Sequence, residues 1–373
     1  MRSLYLHIPF CEKKCLYCDF YSIENRSMTG RFLDALVLEI ARAGEGHRGR
    51  EVDTVFFGGG TPSLLKPAEL ERLLEAARAS FRLSAGAEIT VETNPGTVTS
   101  DTLRAYRACG VNRLSIGIQS FDAAELRFLD RIHDAPQGTA CVRAAREAGF
   151  DNISVDLIFA LPGQLLSTWE GTLRSAVALA PEHISAYNLI VEPNTPLFRL
   201  VEEGTVTPAG RDEEAGLYER TMELLGAAGY EQYEVSNFAR PGFRCRHNAN
   251  YWSHGGYLGF GPSAHSFLPI EGGREGRRWW NVSNLVNYLE RIEGGLSPAA
   301  GEETLSGRQL RNERVFLGLR GSGLEVGELM EGDGEAVLRD LTAHGLAIVE
   351  GGMVRLTPRG YLLCDEISAK LMV

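Results

Sequence analysis

Three cysteines stand at positions 11, 15 and 18, in the stretch LHIPFCEKKCLYCDFYS, with C-x3-C-x2-C spacing. Thiolates are soft donors that favour zinc or iron–sulfur clusters. Three on one short loop suit a cubane of iron and sulfide in which one iron has no protein ligand. Zinc is the other reading, but zinc closes its tetrahedron with a fourth Cys or His, typically from a second close pair. No second C-x2-C follows, and Cys109, Cys141, Cys245 and Cys364 lie singly in unrelated contexts. His7 is near enough in sequence to keep zinc open. An iron with an open position is a reagent, because a small molecule can bind it.

Polar residues at or inside β-rich runs add to the set. GGGTP, from Gly58 to Pro62, follows DTVFF. Glycines lack a Cβ, so backbone at Gly59, Gly60 and Thr61 can approach a charged ligand closely. A tight strand-to-helix turn is the plainer reading. Glu92 closes AEITVET and Gln119 closes RLSIGIQ, where their side chains can meet a ligand at a strand end. Asp156 lies within NISVDLIFAL, where a carboxylate is costly to bury unless paired or bound. Arg131, in LDRIHD, could pair with a ligand carboxylate or be an ordinary surface charge.

These residues need a frame, and the chain supplies one. From residue 3 to about 230, short β-rich runs alternate with amphipathic helical stretches. The runs are SLYLHIP, DTVFFGG, AEITVET, RLSIGIQ, NISVDLIFAL and HISAYNLIV. Several helical stretches close on glycine (Gly44, Gly110, Gly149), as helix C-termini tend to. Such βα units imply an α/β fold with a parallel sheet and right-handed crossovers. Polar or glycine-rich signals at the strand ends favour a curled partial (β/α)6 TIM-like barrel over an open doubly wound sheet. We therefore expect residues 1–230 to form the barrel and 231–300 an aromatic and glycine-rich extension. Residues 301–373 should form a smaller α+β module: a helix over VLRDLTAHGL, a hairpin about Gly351-Gly352 and a closing helix from Pro358. That order is winged-helix-like.

The bulk numbers limit function. The chain has 373 residues, 44% of them hydrophobic, and a net charge of −11. Acidity argues against nucleic acid, which needs clustered Lys and Arg. Residues 302–373 carry 8 Lys/Arg against 12 Asp/Glu, so the winged-helix order reads as a packing or partner-docking module. No apolar run is long enough to span a membrane. The N-terminus does not read as a secretion signal. We expect a reduced cytoplasmic protein that meets membranes only peripherally, through partners.

The cysteine spacing resembles the signature of the radical S-adenosylmethionine (SAM) superfamily. In that superfamily the open iron chelates the methionine end of SAM. One electron from a [4Fe–4S] cluster then cleaves the sulfonium bond to give a 5′-deoxyadenosyl radical. HIPFC, FFGGGTPSLL, VETNP, RLSIGIQSFD, DLIFALPGQ and HNANYW occur in this order. Together they resemble the oxygen-independent coproporphyrinogen III oxidase-like group, and within it most closely the HemW-type haem chaperones, over essentially the whole chain. The resemblance implies that Cys11, Cys15 and Cys18 hold the cluster. It also implies that Tyr5, Tyr17, Gly59, Gly60, Thr61, Glu92, Gln119, Arg131 and Asp156 surround SAM.

Oxidase and chaperone part at two places. The oxidases resemble this chain but carry a further cysteine where Phe20 stands, and a long segment ahead of the motif where ten residues precede Cys11. The chaperone branch carries H-N-x-x-Y-W, matched here by His247, Asn248, Tyr251 and Trp252. Neutral imidazole is a good axial ligand for haem iron, and the aromatics offer flat surface to a porphyrin. Composition alone would read the stretch as a His-Asn turn packed on aromatics. Cys245 could compete as a thiolate, and His254 and His265 are further candidates. The resemblance therefore implies haem binding and delivery to acceptor haemoproteins such as respiratory enzymes, with a flavodoxin-type electron donor. The alternative is propionate decarboxylation on a porphyrinogen. A scaffold using the cluster without radical chemistry is the third reading.

Overall fold

The computed structural model describes residues 2–270, 274–330 and 332–372. Strand β1 (Ser3–Ile8) leads to helix α1 (Thr29–His47), β2 (Glu51–Gly59) to α2 (Pro67–Ser80) and β3 (Arg82–Thr93) to α3 (Ser100–Ala108). After β4 (Arg113–Gln119) come α4 (Ala123–Phe128) and α5 (Ala135–Glu147), and β5 (Ile153–Phe159) precedes α6 (Leu166–Ala178). Strand β6 (His183–Asn188) ends the series, followed by α7 (Pro196–Glu202) and α8 (Arg211–Ala227). The six strands lie in chain order, each parallel to its neighbour.

Side chains alternate faces along a strand, and here the faces differ in kind. Leu4, Leu6, Val55, Phe57, Ile116, Val155 and Leu157 point outward and are buried beneath the helices. Helix α2 answers them with Leu70, Leu73, Leu74 and Ala77, one stripe at helical spacing. The inward face is polar or aromatic: Tyr5 pairs across with Phe56, Phe56 with Thr90, and Thr90 with Arg113. Glu92 sits opposite Ser115, Ser115 opposite Ser154, and Asp156 opposite Ser185. Tyr187 on β6 feels the charge of Glu92, three strands away, as a concave sheet allows.

The aromatic and glycine-rich segment is built into this sheet at both edges. Strand β8 (Asn237–Ala239) adds antiparallel beside β6, and β7 (Glu231–Gln232) antiparallel beside β8. Helix α9 (Arg246–Trp252) follows, and then β9 (Tyr257–Phe260) joins β1 in parallel. Strands β10 (His265–Pro269) and β11 (Gly276–Asn281), then helix α10 (Leu285–Glu293) and β12 (Ala299–Leu305), complete a twelve-stranded sheet. Its outer strands are β7 and β12, so the barrel is partial. The remaining elements are α11 (Gly307–Arg320), β13 (Leu324–Glu325), α12 (Gly334–Ala343), β14 (Ala347–Glu350), β15 (Met353–Leu356), α13 (Pro358–Tyr361) and α14 (Cys364–Leu371). A three-stranded sheet, β13-β15-β14, with these helices gives the winged-helix-like arrangement. Gly351 and Gly352 turn the hairpin with φ of 58° and 80°, as a two-residue loop requires.

Gly110 and Gly149 lie just beyond the ends of α3 and α5 with positive φ, as expected of C-terminal glycines. Gly44 does not end α1, which runs on to His47. A Cβ there would lie 2.6 Å from the Ser80 Cβ and 3.0 Å from its Cα, so this glycine sets how closely α1 approaches α2. We predict that Gly44→Ala costs about 1–3 kcal/mol of stability through overpacking, read as a lower urea midpoint with unchanged m.

Candidate functional site

The cysteine loop follows β1 and is pinned at both ends. Cys11 N–H donates to Ile23 O at 3.0 Å, Ile23 N–H to Pro9 O at 2.7 Å, and Leu197 N–H to Leu16 O at 2.9 Å. Beneath it, Leu16 and Tyr17 pack on an apolar cluster of Leu129, Ile158, Leu161, Leu189 and Leu197. Cys11 is buried, and Cys15 and Cys18 are half-buried. Thr61 Oγ1 donates to Cys11 Sγ at 3.5 Å and Arg131 Nη1 to Cys15 Sγ at 3.5 Å. Burial pushes the Cys18 thiol up to about 11, with neighbouring Cys15 adding to the shift. Burial likewise raises the Tyr17 phenol, which lies within hydrogen-bonding reach of Cys15. Phe20 is 62% exposed and takes no place in the loop's interior.

Arg131 is not a surface charge. Its Nη2 donates to Asn94 Oδ1 at 2.6 Å and to Gly117 O at 2.8 Å, while its buried Nε has no protein partner. Asn94 Nδ2 donates in turn to Thr61 Oγ1 at 3.1 Å. Gln119 joins this group through a left-handed backbone, with φ of 68°, a conformation that costs a non-glycine residue energy and gathers at functional rims. Its Nε2 would stand 2.7 Å from a Cβ at Gly117, so that glycine is what lets the side chain fold in. Thr61, Arg131 and Tyr17 thus meet at the thiols, with Gln119 folded in beside Gly117 and Arg131.

The second group lies on the concave face. Gly59 N–H donates to Glu92 Oε2 at 3.2 Å. Burial first, then the charge of Asp156, pushes Glu92 up to about 8. Asp156 is raised by burial too, against hydroxyl donors from Ser185 at 2.7 Å, Ser115 at 2.8 Å and Ser154 at 2.9 Å. Three hydroxyls answer the cost of placing that carboxylate inside a strand. The Tyr5 hydroxyl is 3.2 Å from His7 Nδ1, and His7 Nε2–H donates to Tyr21 O at 2.8 Å. The glycines here have a further use: a Cβ at Gly59 would come within 2.6 Å of the His7 ring, and one at Gly60 within 2.7 Å of Phe10 O. Close packing on β1 demands them, whatever ligand they face.

His247 sits apart from the thiols. It is 1% exposed, stacked on Phe56 at 4.9 Å between ring centroids and 6.5 Å from the Tyr5 ring. Nδ1 is 2.8 Å from Thr54 Oγ1 and Nε2 is 2.9 Å from the Tyr251 hydroxyl. Burial, with Arg113 nearby, lowers its pKa to about 3. Both ring nitrogens are therefore engaged, Nδ1 by Thr54 and Nε2 by Tyr251. The Cys245 thiol, fully buried, is pushed up to about 12 and lies 3.6 Å from Glu88 Oε1, so it stays protonated rather than competing as a thiolate. His254 stacks on Phe267 and bonds Glu313 at 2.8 Å; His265 stacks on Trp280.

Sequence reasoning missed Asn94, Arg113 and Glu88. Arg113 opens an apolar strand at an inward position, a charge whose strand parity could have flagged it. Glu88 accepts from the N–H groups of Arg246 and His247 at 3.1 Å each and so holds the start of α9. Among the described residues no three His, Cys, Asp or Glu side chains converge as closely as a single ion requires. A larger cluster asks the thiols only to ring it. The donor set fits one: three soft sulfurs on one loop, hydrogen bonds to two of them, and the orphaned Nε of Arg131 alongside.

Comparison with known proteins identifies the family and the fold. Residues 5–176 match the Radical SAM superfamily. The chain is 36% identical to heme chaperone HemW of Bacillus subtilis over 98% of both chains. It is 43% identical to the HemW of Escherichia coli over 73% of this chain and 71% of that one. It is 41% identical to the mouse mitochondrial radical S-adenosyl methionine domain-containing protein 1, over 99% of this chain and 87% of that one. Among solved structures, coproporphyrinogen III oxidase (HemN) of Escherichia coli superposes on 100% of this chain and 90% of its own. Its TM-score is 0.84 at 27% identity.

The buried imidazoles give a direct test. His7, lowered to about 4 by burial, and His247, lowered to about 3, should both be neutral at pH 5 in nitrogen-15 NMR spectra. A folded value below the ordinary 6.5 means that the stability these rings support is complete above about pH 6.5. It is lost as pH falls from there toward 4 and 3. A ring titrating near 6.5 would contradict the burial argument.

Proposed function

Because the chain belongs to the HemW family within the radical SAM superfamily, we propose that it is a haem chaperone. It binds haem and delivers it to acceptor haemoproteins such as respiratory enzymes, with a [4Fe–4S] cluster and SAM in the barrel. The end-to-end match to proteins named heme chaperones carries this reading. A flavodoxin-type protein is the expected electron donor. The acidic module from residue 301 is the part we assign to partner docking. No helix among the described residues is long and apolar enough to cross a membrane.

Cys11, Cys15 and Cys18 would hold the cluster, which when bound supplies one-electron reduction to SAM at its open iron. Thr61 and Arg131 donate to two of the sulfurs and so steady them against stray protonation. Glu92, which takes the Gly59 N–H, and Asp156, already met by three serine hydroxyls, lie where a ligand's ammonium or hydroxyl groups would add a donor. At about 8, Glu92 keeps its proton near neutrality until a cation or donor draws it off. Gly59 and Gly60 present backbone at the same level, Gln119 and Arg131 close one side, and Tyr5 and Tyr17 the others. His247, held neutral, is the proposed axial ligand for haem.

The second reading is oxygen-independent coproporphyrinogen oxidation, favoured by the full-length superposition on that oxidase. Phe20 opposes it, since an exposed phenyl ring stands where the oxidases resembling this chain have a further thiol. One anaerobic experiment separates them. With reconstituted cluster, SAM and a reductant, the protein should show a stable haem absorbance and leave coproporphyrinogen unchanged. Conversion to protoporphyrinogen would sink the chaperone reading. Replacing Cys11, Cys15 and Cys18 together by Ala should abolish the brown cluster absorbance, and its retention would put the metal elsewhere.

A further inference from the structure

We propose that Thr54 presets His247 as a haem ligand, and that the Tyr251 hydroxyl holds the iron's place on that ring until haem arrives. The inference rests on the reading of this chain as a haem-binding protein with His247 as axial ligand. Thr54 Oγ1 donates its one proton to Ser3 Oγ at 2.8 Å and lies 2.8 Å from His247 Nδ1. With that proton committed, the hydroxyl can only accept from the imidazole, so Nδ1 carries the ring proton. The lone pair is then on Nε2, and the Tyr251 hydroxyl 2.9 Å away donates to it. The ring is fixed in its plane by the stack on Phe56, and its backbone N–H by Glu88.

This is the arrangement a metal-binding imidazole needs. Such a ring usually gives its second N–H to an acceptor, which sets the tautomer and raises the basicity of the ligating nitrogen. Here the acceptor is present before any iron is. Ser3 and Thr54 belong to β1 and β2, paired in the sheet, so they stay in place when the ligand side changes. Tyr251 stands one helical turn beyond His247 on α9. It is therefore the group that must leave, and its departure frees a nitrogen already in the right protonation state.

The test uses the full chain with its cluster reconstituted, titrated with haem and followed by the Soret band and by resonance Raman of the ferrous complex. Thr54→Val should lose about tenfold or more in haem affinity, the usual cost of removing such an acceptor, and should lower the iron–histidine stretching frequency. Thr54→Ser, which restores the hydroxyl, should recover both. Tyr251→Phe should take up haem faster than the wild type. Unchanged affinity and stretch in Thr54→Val would overturn the role of Thr54, and unchanged or slower uptake in Tyr251→Phe would overturn that of Tyr251. If Thr54→Val does not fold by circular dichroism, Thr54→Ala takes its place with the same expected loss of affinity and lower stretch, and the same unchanged result would overturn the role of Thr54. His247→Ala that binds haem with an unchanged spectrum would instead remove the ligand reading itself, a result distinct from either.

Discussion

A guanidinium at the base of β4 governs the interior of this barrel. Arg113 is 1% exposed, and a charge so placed costs several kcal/mol unless opposite charges face it. Burial alone would push its pKa down, but the nearby carboxylates of Glu88 and Asp156 hold it up. The dependence is mutual. Arg113 opposes the rise of Glu92 and Asp156, and it discourages protonation of His183 and His247. An acidic lining and neutral imidazoles coexist on one concave face because this cation sits among them.

The legible parts of the molecule were those whose cause is local. The cysteine spacing announces one loop that gathers three thiols, and the alternation of β-rich and amphipathic stretches announces βα units. A carboxylate inside NISVDLIFAL announces its own anomaly, which Ser115, Ser154 and Ser185 resolve. What stayed hidden depends on which distant strand arrives alongside. Gly44 looks like a helix terminator until α2 is seen packed against it. The glycines from 58 to 60 look like room for a ligand, yet β1 already uses the space their missing Cβ atoms leave. Glu88 and Thr54 carry no local mark, because the helix they hold comes from about 160 to 190 residues further along.

That helix also changes how the molecule divides. In sequence, HNANYW belongs to a segment of weak periodicity between two better patterned regions. In space, α9 is bound to the barrel at its start by Glu88. Just past its end, His254 bonds Glu313 of α11, which also takes Arg278 of β11 at 2.5 Å. A Cβ at Gly321 would strike the Trp252 Cβ at 2.8 Å. The C-terminal module is thereby tied to the barrel through the element that carries His247. Val235 N–H to Arg320 O, at 2.8 Å, adds a second tie.

Strand β2 bears Thr54 near its start and Gly58 near its end, both on the inward face. They lie four residue steps apart along the strand, about 13 Å at roughly 3.3 Å per residue. Each side chain's face is set by parity, so the interval behaves as a ruler graduated in pairs. Inserting or deleting one residue would turn either the imidazole tether or the glycine turn out of the barrel. A one-residue change of length in this stretch therefore needs a bulge to restore parity, as the register shift between Val52 and Thr54 does just ahead of it.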